Sequence, residues 1–318
     1  MQKNLKSIKI GILGQSNLSD RVLSKFEKEG SLTITGIHGT RNPGAYFHLD
    51  SCEELIEISD AFLISDLAWS DFDTISNLVR NSKHVYLENA CLLTNGEIKR
   101  LGNLADEAGV IVQLGLKHRY HKAYKILKSY ELKPRIIECN RFMKYTENAT
   151  AISVISDLMM HDIDVVLTLA GSGVKSINAT GVGVLYDDPD VVNARIEFYN
   201  GCIANLSASK ISVKNVHKTQ FFQNNSHYTV NFLDQSLKIL KNGVETNEAL
   251  DMPGEIPNDS LLLKEIADST EIFAKEIETF YHCIVENNEP DATIGDFLNT
   301  KLVADLICDQ LERNYKSK

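Results

Sequence analysis

Short apolar runs alternate with amphipathic stretches over about the first 115 residues of the chain. The apolar runs predict five strands, at 7–13, 31–37, 61–65, 84–87 and 110–114. Between them, apolar residues recur at helical spacing, which predicts helices at 19–29, 53–58, 72–81 and 94–108. Thr94 followed by Glu97 fits the capping pattern at the start of the last of these helices. Strands that alternate with helices predict a parallel, doubly wound α/β sheet.

After Gly115 the alternation gives way to successive strands. A helix at 121–129 and a strand at 134–143 come first, and a longer helix follows at 153–171. Asn200 and Gly201 lie between two alternating runs and are a strong hairpin signal, and such short connections predict an open, mainly antiparallel sheet. The further predictions are strands at 176–184, 191–199, 203–211, 217–223, 228–232 and 237–240, a loop at 242–257, and helices at 261–286 and 294–313.

The change of pattern predicts a domain boundary near Arg119. We therefore expect residues 1–119 to form a first domain and residues 120–318 a second one. An alternative for the C-terminal helix is that it packs back on the first domain.

The helix predicted at 153–171 has a polar side that needs an explanation. Asp157, His161 and Asp164 recur at i, i+4 and i+7, so they share one face of an otherwise apolar helix. Burying charge without partners is costly. Three interpretations are open: a hydrogen-bonded core histidine, a histidine oriented by Asp157 for general acid–base catalysis, and a metal site. The metal site is the weakest of these, because no cysteine or second histidine has ligand spacing to His161.

Composition excludes several classes of protein. The chain has 318 residues, is 43% hydrophobic and 24% charged, and carries a formal net charge of −10. This acidity argues against nonspecific binding to nucleic acid or to anionic membranes. No apolar run approaches the roughly 20 residues that span a bilayer, and the N-terminal residues lack the apolar core of a signal peptide. The six cysteines show no paired spacing, which predicts reduced thiols in a cytoplasmic protein.

The turn after the first strand is a candidate phosphate-binding turn. A dinucleotide pyrophosphate needs glycines there, for a tight turn and close backbone approach, followed by a helix N-terminus. If Gly14 is the first glycine of that fingerprint, Ser16 and Ser19 occupy the next two glycine positions. The alternative is an ordinary strand-to-helix turn with a serine N-cap. The turn reads Gly11-Ile-Leu-Gly14-Gln15-Ser16-Asn17-Leu18-Ser19.

The end of the second strand lacks the acid that binds the adenosine ribose in many dinucleotide-binding domains. The sequence there is His38-Gly39-Thr40-Arg41. Arg41 and His38 at this place favour a 2′-phosphate, and therefore NADP over NAD. The alternative is that both are solvated loop residues.

Four longer motifs are more specific than the glycine turn. They are Gly115-Leu-Lys-His-Arg119-Tyr-His-Lys-Ala, Pro134-Arg-Ile-Ile-Glu138-Cys-Asn-Arg141, Asp157-Leu-Met-Met-His161-Asp-Ile-Asp164 and the run from Asn193 to Lys210. With these motifs the chain resembles the Gfo/Idh/MocA oxidoreductases over essentially its whole length. The branch that it resembles includes UDP-N-acetylglucosamine 3-dehydrogenases and related nucleotide-sugar dehydrogenases.

The resemblance implies a Rossmann domain followed by an α/β domain with an open, mainly antiparallel sheet, which often forms the face of a dimer or tetramer. It implies that His161 and Asp157 move the proton of a sugar hydroxyl while hydride passes to a nicotinamide. It places the substrate at Lys117, His118, Arg119, Tyr120, Arg141 and His161. It places the cofactor at Gly11, Gly14, Gln15, Ser16, Asn17, Leu18, His38, Gly39, Arg41, Ser65, Asp66, Glu88 and Asn89.

Two departures from the family pattern lie at strand ends. The family usually has Glu-Lys-Pro after the fourth strand, and this chain has Glu88-Asn89-Ala90. Asparagine cannot exchange a proton as lysine can. After the third strand, where the family often has Thr-Pro, the chain has Ser65-Asp66, and an acid there repels a pyrophosphate.

These observations lead to one expected function and one alternative. We expect an oxidoreductase that uses NAD or NADP, with NADP favoured, on a hydroxyl of a sugar or nucleotide sugar. The alternative is a degenerate member that binds a sugar nucleotide or a partner without turnover. We expect no metal, nucleic acid or membrane partner, and a homodimer or homotetramer formed through the C-terminal sheet.

Overall fold

The computed structural model describes residues 7–14, 17–40, 46–147, 153–234, 236–248 and 261–316, apart from the side chains of 17–21, 245–248, 261–269 and 314–316. These residues form thirteen strands and eight α-helices. The strands are β1 (Ile8–Leu13), β2 (Leu32–His38), β3 (Ala61–Ile64), β4 (His84–Leu87), β5 (Val112–Leu114), β6 (Ile136–Lys144), β7 (Val174–Val182), β8 (Val191–Phe198), β9 (Ile203–Ser212), β10 (Val216–Gln223), β11 (Ser226–Asn231), β12 (Ser236–Lys241) and β13 (Val244–Glu248). The helices are α1 (Asn17–Glu29), α2 (Cys52–Ile58), α3 (Phe72–Arg80), α4 (Asn95–Ala108), α5 (Lys122–Lys128), α6 (Met160–Ala170), α7 (Leu261–Glu286) and α8 (Ile294–Lys316). None of the described helices combines the length and apolar composition needed to cross a bilayer.

The described residues divide into two compact units. The first contains those up to Lys117 together with those from Leu261 to Leu298. The second contains those from His118 to Glu248 and from Asn299 onward. One division therefore falls between Lys117 and His118, and the other falls within α8.

The first unit is built on a five-stranded parallel sheet in the order β2-β1-β3-β4-β5. All four residues of β3 are buried. Strands that are covered on both faces read as continuous apolar runs, which is why the sequence pattern is strong here. The predicted parallel, doubly wound sheet is confirmed.

The capping box predicted at Thr94 is also present. The Thr94 hydroxyl accepts a hydrogen bond from the Glu97 backbone N–H at 3.3 Å, and the Glu97 carboxylate accepts one from the Thr94 backbone N–H at 2.8 Å. Two backbone donors at the start of α4 are thereby satisfied, so the helix begins at Asn95.

Helix α7 packs on the parallel sheet through aromatic residues and one buried acid. The Tyr86 ring on β4 lies 5.9 Å from that of Phe273 and 6.1 Å from that of Phe280. Tyr86 also donates its hydroxyl hydrogen to the Glu276 carboxylate at 3.0 Å, and Gln113 donates to the Glu276 backbone carbonyl at 3.1 Å. The pKa of Glu276 is raised to about 8, mainly by burial and to a smaller extent by nearby Glu88, whereas the Tyr86 hydrogen bond and Lys117 act to lower it.

This shift predicts a pH-dependent stability. Between the ordinary glutamate pKa of 4.5 and about 8, the folded chain keeps a proton on Glu276 that the unfolded chain has released. The free energy of unfolding should therefore fall as pH rises through this window, by at most about 1.4 kcal/mol per pH unit for one group. Glu276→Gln keeps the acceptor for Tyr86 and removes the titration. We expect it to unfold at a higher temperature than the wild type at pH 8 to 9, and at a similar temperature near pH 5.

The control for this measurement is Glu278→Gln, since Glu278 is an exposed acid on the same helix. Thermal unfolding followed by circular dichroism across this pH range separates the two variants. Equal responses of both variants to pH would contradict the assignment to Glu276.

The second unit is built on an eight-stranded mixed sheet in the order β13-β12-β11-β10-β6-β9-β8-β7. Strands β6 and β9 pair in parallel, and all other neighbours are antiparallel. The predicted hairpin forms at Asn200-Gly201, where Gly201 has a φ of +84°. The predicted mainly antiparallel sheet is therefore confirmed, with one parallel pair at its centre.

Two local predictions about this unit are wrong. The predicted loop at 242–257 contains a strand, Val244–Glu248, which extends the sheet by pairing with β12. The predicted single helix at 153–171 begins with a π-helical segment, Val154–Met159, and continues as α6. Hydrophobic spacing alone does not distinguish the α- from the π-helical arrangement over so short a stretch.

The two faces of the mixed sheet differ in polarity. On one face, Ile196, Phe198, Leu206, Phe221 and Val230 are at most 1% exposed. They pack in one cluster with residues of α5, α6 and α8, so the chain's own helices cover this face. The opposite face of β8 and β9 carries hydrogen-bonded polar pairs, Asn193 with Ser207 and Arg195 with Asn205.

Candidate active site

In the turn after β1, one glycine has the backbone conformation expected of a phosphate-binding turn. Gly14 has a φ of +76°, and its N–H donates to the His38 carbonyl at 2.9 Å. A Cβ at Gly14 would lie 2.2 Å from the Cβ of Asp66, so only glycine fits. Helix α1 starts three residues later, at Asn17. Gln15 and Ser16 lie outside the described residues, as do the side chains of Asn17 and Leu18.

Gly11 was predicted to bind the cofactor, but its lack of a side chain has a packing explanation. A Cβ there would lie 2.7 Å from the Phe62 ring and 2.9 Å from the Ser59 hydroxyl. Gly11 is inside β1, so its backbone pairs within the sheet.

The acid at the end of β3 has a structural role. The Asp66 carboxylate accepts a hydrogen bond at 2.9 Å from the Ala68 N–H and caps the 3₁₀ turn Leu67–Trp69. Next to it, the Ser65 hydroxyl oxygen is buried and has no hydrogen-bond partner among the described residues. An unsatisfied buried hydroxyl is costly, and a bound ligand is one way to satisfy it. This atom at the carboxyl end of a parallel strand fits a dinucleotide site.

The end of β2 lies against the turn that follows β3. Gly39 has a φ of +78°, and a Cβ there would lie 2.3 Å from the indole nitrogen of Trp69. The His38 ring meets the Trp69 ring edge-on at 5.1 Å, and its Nδ1 donates to the Leu49 carbonyl at 2.7 Å. Arg41 lies outside the described residues. His38 is thus used to hold the chain locally, which explains its presence without a phosphate.

The residues after β4 form a turn that contains a partly buried acid, Glu88. Asn89, at the position where a lysine was expected, accepts a hydrogen bond from the Cys91 N–H at 2.9 Å and so closes the turn. Burial raises the pKa of Glu88, and the positive charge of Lys117 lowers it. Lys117 therefore lies close enough to act electrostatically on Glu88 and on Glu276.

In the second unit, Asp157 and His161 are separated by the change from π- to α-helix. The Asp157 carboxylate accepts a hydrogen bond from the Ser153 backbone N–H at 2.6 Å. Asp157 lies in the π-helical segment and His161 in α6, and the orientation of His161 by Asp157 stays a prediction. π-Helical turns are often found at functional sites.

Asp164 belongs to a buried ion pair. It is 1% exposed and binds Arg119 in a bidentate pair, with Nε to Oδ2 at 2.8 Å and Nη2 to Oδ1 at 2.6 Å. Arg119 Nη2 also donates to the Thr168 hydroxyl at 3.1 Å. Arg119, which was predicted to bind substrate, therefore uses two of its nitrogens to brace α6. The neighbouring Tyr120 is buried beneath the ammonium group of Lys125.

His161 belongs to a group of four rings that we call the histidine cluster. Its members are His118, His161, His217 and Phe232. The His118 ring centroid lies 4.7 Å from that of His161 and 4.8 Å from that of His217. His217 stacks on Phe232 at 4.3 Å with the ring planes 19° apart. His118, predicted as a substrate residue, is thus brought next to the predicted catalytic histidine.

Two residues of this region, Asp162 and His217, were not predicted as site residues from the sequence. Asp162 is 3% exposed and accepts a hydrogen bond from His217 Nε2 at 3.2 Å. A buried acid directly after His161 was a visible signal in the sequence, because a buried charge needs a partner. His217 gave no signal, since it stands in an ordinary strand pattern and meets Asp162 only in the fold.

The cluster is suited to proton transfer. Imidazoles exchange protons near neutral pH, and rings at this separation influence each other's charge. Arg141 adds a fixed positive charge, and it donates to His118 Nε2 at 3.3 Å. Burial lowers the pKa of Arg141, whereas Asp162 and Asp157 raise it. Among the described residues, no three His, Cys, Asp or Glu side chains are arranged to hold a metal ion.

Comparison with known proteins gives relatives by sequence. No protein-family model matches the chain. A UDP-N-acetylglucosamine 3-dehydrogenase of Acidithiobacillus ferrooxidans is 28% identical over 235 residues, which are 74% of this chain and 73% of that protein. A scyllo-inositol 2-dehydrogenase (NAD(+)) of Bacillus subtilis is 25% identical over 169 residues, which are 48% of this chain and 49% of that protein.

Solved structures agree on the fold. The UDP-N-acetylglucosamine 3-dehydrogenase from Acidithiobacillus ferrooxidans superimposes with a TM-score of 0.84 at 22% identity, over 97% of this chain and 99% of that one. A levoglucosan dehydrogenase in complex with NADH gives 0.79 at 13% identity, over 97% and 98% of the two chains. A biliverdin reductase from Synechocystis in complex with biliverdin and NADP+ gives 0.76 at 15% identity, over 96% and 99%. The resemblance in the motifs is thus confirmed, and the chain has the Gfo/Idh/MocA-type dehydrogenase fold.

Proposed function

We propose that this protein is an NAD(P)-dependent dehydrogenase that oxidises a hydroxyl of a sugar or nucleotide sugar. The observation that carries the proposal is His161 beside His118, in a chain that is 28% identical over 235 residues to a nucleotide-sugar dehydrogenase. An imidazole at this position suits removal of a hydroxyl proton, which must leave when a hydride leaves the same carbon.

The cofactor residues follow from the strand ends of the first unit. Gly14 and the first turn of α1 would hold the pyrophosphate, because helix N-termini favour anions. The Ser65 hydroxyl would donate to the same ligand. When bound, the nicotinamide supplies the hydride acceptor. Asp66 does not exclude this site, since its carboxylate is held on the Ala68 N–H at 2.9 Å.

In the second unit, we assign His161 as the group that accepts the hydroxyl proton. His118 hydrogen-bonds and orients the sugar, and Asp157 supports the start of the helix that carries His161. Asn89 cannot replace a proton-transferring lysine, so we expect slower chemistry than in relatives that have the lysine. Losing one general acid–base group typically costs about 10²- to 10⁴-fold in rate.

The substrate that we propose is a nucleotide sugar of the UDP-amino-sugar type. Two features support this choice: the named activity of the Acidithiobacillus relative, and the guanidinium of Arg141 beside His118. A partly buried cation of this kind attracts an anionic ligand.

Cofactor binding tests the proposal independently of turnover. We expect NADH and NADPH, titrated separately and followed by nicotinamide fluorescence, to bind at micromolar concentrations, with NADPH preferred. Ser65→Ala should weaken binding by about tenfold or more, because a hydrogen bond to a charged group is lost. Ser76→Ala, in α3, is the control and should leave affinity unchanged. Absence of binding by the wild-type protein contradicts the proposal.

The second candidate function is binding without turnover. Asn89 in place of lysine favours it, and so does the contact of Gly39 with Trp69 at the β2 end. This candidate predicts binding of a UDP-sugar in calorimetry but no binding of either nicotinamide cofactor.

We also propose that the chain forms a homodimer or homotetramer through the mixed sheet. Because helices cover one face, the pairing surface must be the opposite face, with Asn193, Arg195 and Asn205 at its centre. Light scattering at micromolar concentration should give two or four times the chain mass of 35.6 kDa. A monodisperse monomer would contradict this prediction. Arg195→Glu should reduce the mass of the assembly, and Lys99→Glu, at an exposed position on α4 outside this sheet, is the control.

A further inference from the structure

Arg141 and His118 form a contact that fixes a proton. A guanidinium only donates hydrogen bonds, so His118 Nε2, at 3.3 Å from Arg141 Nη1, must be the acceptor. A neutral imidazole that accepts at Nε2 carries its hydrogen on Nδ1. The position of Arg141 thus selects one of the two neutral forms of His118.

A second pair supports the same ring from the side. His217 Nε2 donates to the Asp162 carboxylate at 3.2 Å, and the His217 ring meets the His118 ring edge-on at 4.8 Å. The Phe232 ring lies under His217 at 4.3 Å and beside His118 at 5.3 Å. His217 is therefore held by a hydrogen bond on one side and a stacked ring on another, and it limits the rotation of His118.

Sheet register brings these supports together. His217 on β10 and Arg141 on β6 are directly opposite each other in the antiparallel pairing. Directly opposed residues project from the same face of a sheet. Asp162 also interacts favourably with Arg141, so one buried carboxylate stabilises both groups that contact His118.

We propose that Asp162, His217 and Arg141 are positioning residues that hold His118 as the Nδ1–H tautomer, next to His161. In this form His118 presents a fixed donor to an oxygen of the substrate, and it leaves proton acceptance to His161. Arg141 then acts on the ligand mainly through His118. The catalytic part of this inference rests on the proposed function, whereas the tautomer does not.

The tautomer is measured by ¹⁵N NMR of the histidine-labelled protein, without substrate or cofactor. We expect the wild-type His118 to show a protonated Nδ1 and an unprotonated Nε2. Arg141→Met keeps the length of the side chain and removes its donors, so the two tautomers should become mixed. His227→Gln is the control, because His227 lies on β11 with Gln220 and Thr229, and it should leave the His118 signals unchanged. A wild-type His118 protonated on Nε2, or an Arg141→Met spectrum identical to the wild type, overturns the proposal.

The second measurement separates positioning from mere structural support. Asp162→Asn should broaden or shift the His118 signals and lower kcat by about 10²-fold, with a smaller change in KM. His118→Asn keeps an amide N–H near the Nδ1 position and should retain more activity than His118→Gln, which places its amide near Nε2. A lower Tm for Asp162→Asn with unchanged His118 signals and unchanged kcat would overturn the positioning role. If the wild-type protein shows the expected tautomer but is inactive, the proposed function is contradicted, whereas the tautomer assignment still holds.

Discussion

Asp164→Asn is expected to lower the free energy of unfolding by roughly 3–5 kcal/mol, because it leaves the Arg119 guanidinium buried without its counter-charge. The pair is bidentate, and both side chains are at most 7% exposed. Asparagine can accept at one oxygen only, so one of the two charge-assisted hydrogen bonds is lost as well. Chemical denaturation with a fixed m-value measures the change.

The control is Glu131→Gln, which breaks the exposed pair of Glu131 with Lys133. Exposed pairs contribute little, so this variant should unfold at the same denaturant concentration as the wild type. Replacing Asp164 and Arg119 together, with leucine and methionine, should restore part of the loss. If Asp164→Asn unfolds like the wild type, the pair does not brace α6.

The second large effect is expected on turnover. His161→Ala should lower kcat by about 10²- to 10⁴-fold if His161 accepts the hydroxyl proton. The melting temperature should change little, since His161 is only partly buried. A histidine that merely braces the helix predicts the reverse: a stability loss of about 1 kcal/mol from a lost hydrogen bond, with activity retained. His227→Ala, which replaces a partly buried histidine on β11 of the same unit, is the control for nonspecific loss.

Asn89→Lys extends this test to the first unit. It restores a proton-transferring group at the end of β4 and should raise activity. It also removes the acceptor for the Cys91 N–H, so a small loss of stability is expected. An increase in turnover with His161 intact, but none in the His161→Ala background, is the pattern that the proposed roles predict.

The sequence predicted the fold well because its patterns are local. The apolar runs of β1 and β3, the capping box at Thr94 and the Asn200-Gly201 hairpin each depend on neighbouring residues only. The strand Val244–Glu248 was missed because it is short and polar. Pairing with β12 determines its conformation, and pairing is not visible in the sequence.

The site was predicted less completely because its contacts are long-range. His161 and His118 were identified through motifs, and the structure brings them together at 4.7 Å. Asp157 and His161 were expected on one face of a regular α-helix, whereas Asp157 lies in a π-helical segment that the spacing did not predict. His217 meets Asp162 across 55 positions of the chain. Only the register of β10 on β6 makes that contact possible.

The most direct test of the account is hydride transfer by the wild-type protein. Purified protein is incubated with NAD+ or NADP+ and a panel of UDP-sugars and free sugars, and reduced nicotinamide is followed by its absorbance. We expect turnover with at least one UDP-amino-sugar, and loss of this turnover in His161→Ala. No reduced nicotinamide with any sugar, from a folded protein that also fails to bind either cofactor, would contradict it.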